Sequence, residues 1–189
     1  MQKDNDKMNF EDKVNNAKYI LDSTKEWISN VDIKISILIA FMGVVLGYIL
    51  IDSNTDIMQK IINSIEIRDI TCIKILKGIC VICLYGSTIF SIIKLTHALK
   101  GKINIKDFKE SGVTLNSLIF YGSISNKNYE DFKNNMINQT KESNFNDLLS
   151  QIYINSKICN SKFKNYNNGL NYAILSILLL FLTKFFGII

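Results

Sequence analysis

Residues 29–50 read SNVDIKISILIAFMGVVLGYIL. From Ile35 to Ile51 seventeen residues pass without a charge, yet Asp32 and Lys34 stand at the mouth of the run. A soluble core helix rarely stays uncharged for so long, whereas a membrane span has to. At 1.5 Å per residue the run covers about 25 Å. Ile33 and a snorkelling Lys34 extend it towards a hydrocarbon core of roughly 30 Å. The stretch therefore predicts a transmembrane helix with a polar pair at its mouth.

Two further runs repeat the pattern. Ile75–Leu95 carries Lys77 and Lys94 near its ends, where both reach a headgroup layer and leave Gly78–Ile93 between them. Leu170–Ile189 carries Lys184, which snorkels to the far surface. The 189 residues include no proline, so nothing covalent breaks a long helix. A long polar segment precedes the first apolar run and no small-residue cleavage site follows it, so no secretory signal is expected.

Lysine and arginine counts set the orientation. Residues 52–71 hold two, Lys60 and Arg68, whereas 97–169 hold ten and the tail through Lys34 holds six. The tail and the long segment are expected in the cytoplasm, with 52–71 and the C-terminus outside. The chain then divides into a cytoplasmic amphipathic helix (1–34), spans at 35–51, 72–96 and 170–189, an outward loop (52–71) and a cytoplasmic helical region (97–169). The fold class is an all-α membrane protein. Three transmembrane helices carry a cytoplasmic helical domain formed by extensions of spans one and three.

Those extensions have a recognisable seam. Phe10, Val14, Ala17, Leu21, Thr24, Ile28, Val31 and Ile35 alternate spacings of four and three, as a heptad stripe does. The helix should start near Asn9, with Glu11 and Asp12 favouring its dipole. Phe145, Leu149, Ile152, Ser156, Cys159, Phe163, Tyr166 and Leu170 repeat the spacing ahead of span three, with Ser143 or Asn144 as its cap. The two stripes are expected to pack on each other or on copies in a neighbouring subunit. Between them Tyr129, Phe132 and Met136 mark one face of a shorter helix capped by Ser125. Residues 111–125 read equally as the end of a helix closed at Gly122 or as a short buried strand. Gly43 and Gly47 form a small-residue face suited to close helix approach.

Several classes are disfavoured. The net charge of +5 suits a nucleic-acid binder, but aromatic and basic residues do not interleave and no nucleic-acid module is present. Cys80 and Cys83 have zinc-knuckle spacing without a second ligand pair, so with Cys72 and Cys159 they read as buried, inert thiols. The single histidine, His97, sits at a span end, where a cation complements a helix dipole, and has no catalytic partner at a recognisable spacing. No phosphate loop is present, so neither an enzyme nor a resident cofactor or metal is expected.

Three segments, in order, resemble one family. VDIKIS (31–36) resembles an Asp-x-Lys-Ala-type motif opening a first span, with Ile35 where the family tends to have alanine. LIFYGSIS (118–125) resembles a Phe-Phe-Gly or Phe-Tyr-Gly segment. DLLSQIYINSKICNSKFKNYNNGL (147–170) resembles a Gln-Ile-x-x-x-Ser-x-Ile-x-x-x-Lys-Phe helix leading into the last span. Over about residues 10–189 the chain is similar to the transmembrane effectors of Pycsar-type bacterial anti-phage defence. The resemblance implies a multi-pass protein of the bacterial inner membrane, with its N-terminus in the cytoplasm and an oligomeric assembly. It also implies activation by a cyclic nucleotide from a partner cyclase, followed by impairment of the membrane.

A cyclic nucleotide needs a cation for its phosphate, an aromatic face for its base and amides for the base edges. The candidates are Lys34, Lys157 and Lys162, Phe120 and Tyr121, and Gln151 and Asn155. Gln151, Asn155 and Lys162 share one helix face, with Ser156 beside them. Asp32, Gly43, Gly47, Gly122 and Ser156 are candidates for structural coupling. For Asp32 and Lys34, pairing with Gln151, Asn155 or Lys162 to fasten the two helices is preferred over ligand contact. The alternative function is a structural or adaptor membrane protein that recruits a soluble partner. A transporter subunit is disfavoured by the uncharged interiors of spans one and two.

Overall fold

The computed structural model describes residues 8–52, 72–100, 112–114 and 116–186. Apart from Asp52, the loop expected to face outward therefore lies outside the described residues. Among them every regular element is a helix: α1 (Phe10–Asp52), α2 (Cys72–Leu99), α3 (Tyr121–Ser125), α4 (Tyr129–Ile137) and α5 (Lys141–Phe185). The all-α expectation holds. Among the described residues α1, α2 and α5 are each long and apolar enough to cross a membrane.

The helix starts follow from short polar side chains. Asn9 Oδ1 accepts the Asp12 amide at 2.8 Å, with Glu11 and Asp12 in the first turn, as the sequence predicts. The other two starts need correction. Thr140, not Ser143 or Asn144, opens α5: its Oγ1 accepts the Ser143 amide and its carbonyl the Asn144 amide. Asn128 rather than Ser125 caps α4, taking the Asp131 amide at 2.8 Å. On α4 only Phe132 of the expected face is half-buried, while Tyr129 and Met136 are exposed.

The segment 116–120 is neither helix nor strand, and Gly122 lies inside the five-residue α3 rather than closing a helix. A Cβ built at Gly122 would lie 2.6 Å from a Phe120 ring carbon, so glycine lets that ring fold back over the helix.

The chain forms two compact units, residues 1–30 with 102–161, and residues 31–101 with 162–189. In the first unit Ala17 and Leu21 of α1 pack with Leu148 of α5, bordered by Val14, Phe145 and Ile152. Phe10 meets Phe145 edge-on at 5.6 Å. In this unit the two stripes pair as expected, though Ser156 of the α5 stripe is exposed. Leu149 is 45% exposed, and its neighbour Leu148 takes the buried place.

In the second unit Val31, Ile35 and Met42 of α1 pack with Leu95 and Ala98 of α2 and Ala173 of α5. Val45, Ile49 and Leu84 continue the packing, with Tyr85, Leu179 and Leu180 against them. Only 22% of the apolar window of each long helix is buried, which leaves wide outward faces suited to lipid. Cys83 is one such outward residue and Cys80 and Cys159 are half-buried, contrary to the expectation of buried thiols.

Apolar burial drives little helix association in hydrocarbon, so small and polar residues hold these helices together. Thr88 and Ser176 share a hydrogen bond of 2.6 Å, and Ser91 Oγ donates to the Gly169 carbonyl at 2.8 Å. A Cβ at Gly169 would lie 2.7 Å from Leu95 Cγ, so α2 and α5 meet closely only because this residue is glycine. At Gly43 and Gly47, in contrast, nothing described lies within 4 Å of an added Cβ. Among the described residues, no neighbouring helix approaches their small-residue face closely.

Gly169→Ala should therefore lower the unfolding midpoint of the detergent-solubilised protein, at a cost of about 1–3 kcal/mol for overpacking. Gly86→Ala, where nothing lies within 4 Å, should leave it unchanged or raise it. Equal responses in a thermal melt would contradict the close approach.

Candidate functional site

The first unit contains an open polar cleft of about 490 Å³. Its walls come from three places. The non-helical segment supplies Thr114, Asn116 and Leu118, α4 and the turn after it supply Asn135, Asn138 and Gln139, and the cap and first two turns of α5 supply Thr140, Ser143 and Asp147. Thr140, Ser143 and Asp147 fall on one face of α5 by their three- and four-residue spacing. Lys127 brings a positive charge to the wall, and its ammonium reaches the Asn116 carbonyl at 3.5 Å.

Side chains of α5 tie the non-helical segment in place. Ser150 Oγ accepts the Thr114 amide at 2.9 Å and donates to the Asn146 carbonyl. Asp147 Oδ2 accepts the Leu118 amide at 2.8 Å. Ser117 Oγ accepts the amides of Ile119 and Phe120. Backbone donors that no strand or helix would use are thereby satisfied. Asp147 is 2% exposed, and its second oxygen, Oδ1, is buried with no hydrogen-bond partner among the described residues. A buried acceptor left unpaired is costly, so it calls for an explanation.

The second unit holds a buried cation at the mouth of the spans. Lys162 Nζ lies 2.6 Å from Asp32 Oδ1 and donates to the Ala98 carbonyl at 3.0 Å. Ala98 is the penultimate residue of α2, where carbonyls lack helical partners and the dipole is negative. One ammonium thus joins α1, α2 and α5. Its side chain is 10% exposed and that of Asp32 37%.

The residues singled out from sequence separate accordingly. Phe120, Tyr121, Gly122, Gln151, Asn155 and Ser156 belong to the first unit, and Asp32, Lys34, Gly43, Gly47 and Lys162 to the second. Gln151 is buried, Asn155 half-buried, and Ser156 exposed. The Phe120 and Tyr121 rings lie 4.7 Å apart with Tyr121 largely exposed, and Lys157 sits over the Tyr153 ring. Asp32 makes the fastening contact with Lys162 that the sequence favoured, while Lys34 is exposed.

None of the seven ligand candidates lines the cleft. Lys127, Asn135 and Asp147, which do line it, were not singled out from the sequence. The signal for Asp147 is the capping threonine: with α5 opening at Thr140, Asp147 comes two turns later on the face of Thr140 and Ser143.

Removing either end of the ion pair should cost different amounts. Asp32→Ala leaves an ammonium buried with a single carbonyl and should cost about 3 kcal/mol. Lys162→Met leaves a carboxylate that water already reaches and should cost about 1 kcal/mol. Denaturant midpoints in detergent micelles should rank the variants in that order, and the reverse ranking would contradict the burial of Lys162.

The family model of the Pycsar effector protein domain, PycTM, matches residues 16–189. The chain is 39% identical over 168 residues to a Pycsar effector protein, GmPycTM of Gulbenkiania mobilis, covering 85% of each. No solved structure matches. With three helices of membrane-crossing length and a family match over nearly its whole length, this multi-pass chain belongs to the Pycsar effector protein domain family.

Proposed function

We propose that the chain is an inner-membrane effector that binds a cyclic nucleotide on its cytoplasmic side and then impairs the membrane. Family membership carries this reading. The basic residues of the tail and of 97–169 favour a cytoplasmic first unit, where a soluble messenger made by a partner cyclase would reach it.

The helices supply a physical route from binding to the bilayer. α1 and α5 each run unbroken from residues of the first unit into residues of the second. A ligand that prefers one arrangement of their first halves biases the arrangement of the spans, and only by that preference. Moving a population from almost wholly closed to almost wholly open takes a preference of about 10⁴-fold. The mostly outward-facing spans, with nothing described close to the Gly43–Gly47 face, leave surface for copies of the chain to assemble.

The test is dye release from liposomes carrying the purified protein, with cyclic AMP, GMP, CMP and UMP added in turn. Release with at least one of them is expected. If none causes release while the chain captures a soluble protein through its first unit, the adaptor reading replaces this one.

A further inference from the structure

Asp147 poses the sharpest unanswered question in the first unit. Its carboxylate sits 2% exposed in the cleft wall, one oxygen holding Leu118 and the other holding nothing among the described residues. A carboxylate only accepts hydrogen bonds, so whatever completes it must bring a donor. The rest of the wall has a different character. It combines amides, which both donate and accept, with the ammonium of Lys127 and the opening turn of the 45-residue α5. A helix of that length presents its positive dipole end at Thr140, where an anion is stabilised.

The two poles of the cleft lie at a useful separation. From Thr140 to Asp147 is seven residues along α5, or roughly 10 Å at 1.5 Å per residue. That is comparable with the distance from the phosphate of a mononucleotide to the far edge of its base. The volume of about 490 Å³ also falls within the roughly 300–1,000 Å³ usual for small-ligand sites.

We propose that this cleft is the nucleotide site, with the phosphate at Lys127 and the start of α5 and an N–H of the base donating to Asp147 Oδ1. The assignment rests on the cyclic-nucleotide reading above and adds to it the place and the polarity of binding. Asn135 and Asn138 then face the sugar and the remaining base edge with groups that can donate or accept.

Oδ1 is screened from solvent in the arrangement described, so a base reaches it only as the wall shifts. The hydrogen bond missing before the shift and made after it favours the shifted arrangement. The same carboxylate holds Leu118, so the loop that carries LIFYGSIS moves with it or is released. This is the differential contact that a ligand needs in order to act as a switch.

The experiment is calorimetric titration of the full chain in detergent micelles with cyclic AMP, GMP, CMP and UMP. Asp147→Asn keeps the shape and can still accept the Leu118 amide, but offers a base N–H its own amide donor in place of Oδ1. It should weaken the best ligand by about 10–100-fold, the range for losing a hydrogen bond to a charged group. Lys127→Gln should weaken it by about 10-fold and reduce its salt dependence. Lys133→Gln, on α4 and outside the cleft, should change nothing.

Asn135→Tyr fills the cleft from an exposed helical position and should abolish binding without touching the Leu118 tie. It decides the matter if Asp147→Asn fails to fold. Binding by the unaltered chain that survives undiminished in Asn135→Tyr and in folded Asp147→Asn overturns the site and leaves the cyclic-nucleotide reading standing. No binding of any cyclic nucleotide by the unaltered chain overturns that reading itself.

Discussion

The ammonium of Lys162 holds the mouth of the spans together. It donates to Asp32 on α1 and to a terminal carbonyl of α2 from a position on α5, so three helices share one charge. The arrangement suits its place. Close to hydrocarbon an unpaired ion is expensive, and an unsatisfied carbonyl at a helix end is nearly as unwelcome. A single lysine relieves both, and it fixes where α2 stops relative to its neighbours. Asp32, partly open to water, keeps the cost of burying the pair moderate.

Beyond that point the constraint becomes the bilayer itself. Hydrocarbon offers the backbone no partner, so helices that enter it have to satisfy their own amides throughout, and a chain without proline can do so easily. The helices then need contacts that do not rely on excluding water. Thr88 with Ser176, Ser91 with the Gly169 carbonyl, and the bare Cα of Gly169 against Leu95 supply them. In the first unit the opposite economy holds. Ala17, Leu21 and Leu148 exclude water in the ordinary way, while Asp147, Ser150 and Ser117 capture the loose backbone donors around them.

Much of this was legible in the sequence because its period is rigid. Ala17, Leu21, Val31 and Ile35 obey one spacing and are all buried, and the fused helix follows from that register. On α5 the same method chose Leu149 over Leu148. The residues that mark the true inward face there include Asp147, Lys162, Gly169 and Ser176, which do not look like core. Each is buried for a reason that lies on another element: a loop amide, an aspartate, a leucine or a threonine. Hydropathy has no access to such partners. The cleft was invisible for the same reason, since its walls come from three separated stretches of polar residues that read individually as ordinary surface.

The proposed orientation places the first unit, with the opening halves of α1 and α5, inside the cell and leaves α2 and the later halves of α1 and α5 to the bilayer. Its most direct measurement is labelling of single cysteines in intact spheroplasts with a membrane-impermeant maleimide, after replacement of Cys72, Cys80, Cys83 and Cys159. Lys18→Cys and Lys133→Cys should stay unlabelled until the membrane is opened, whereas Asn63→Cys should react at once. Immediate reaction at Lys18→Cys or Lys133→Cys, with Asn63→Cys protected, would contradict the account.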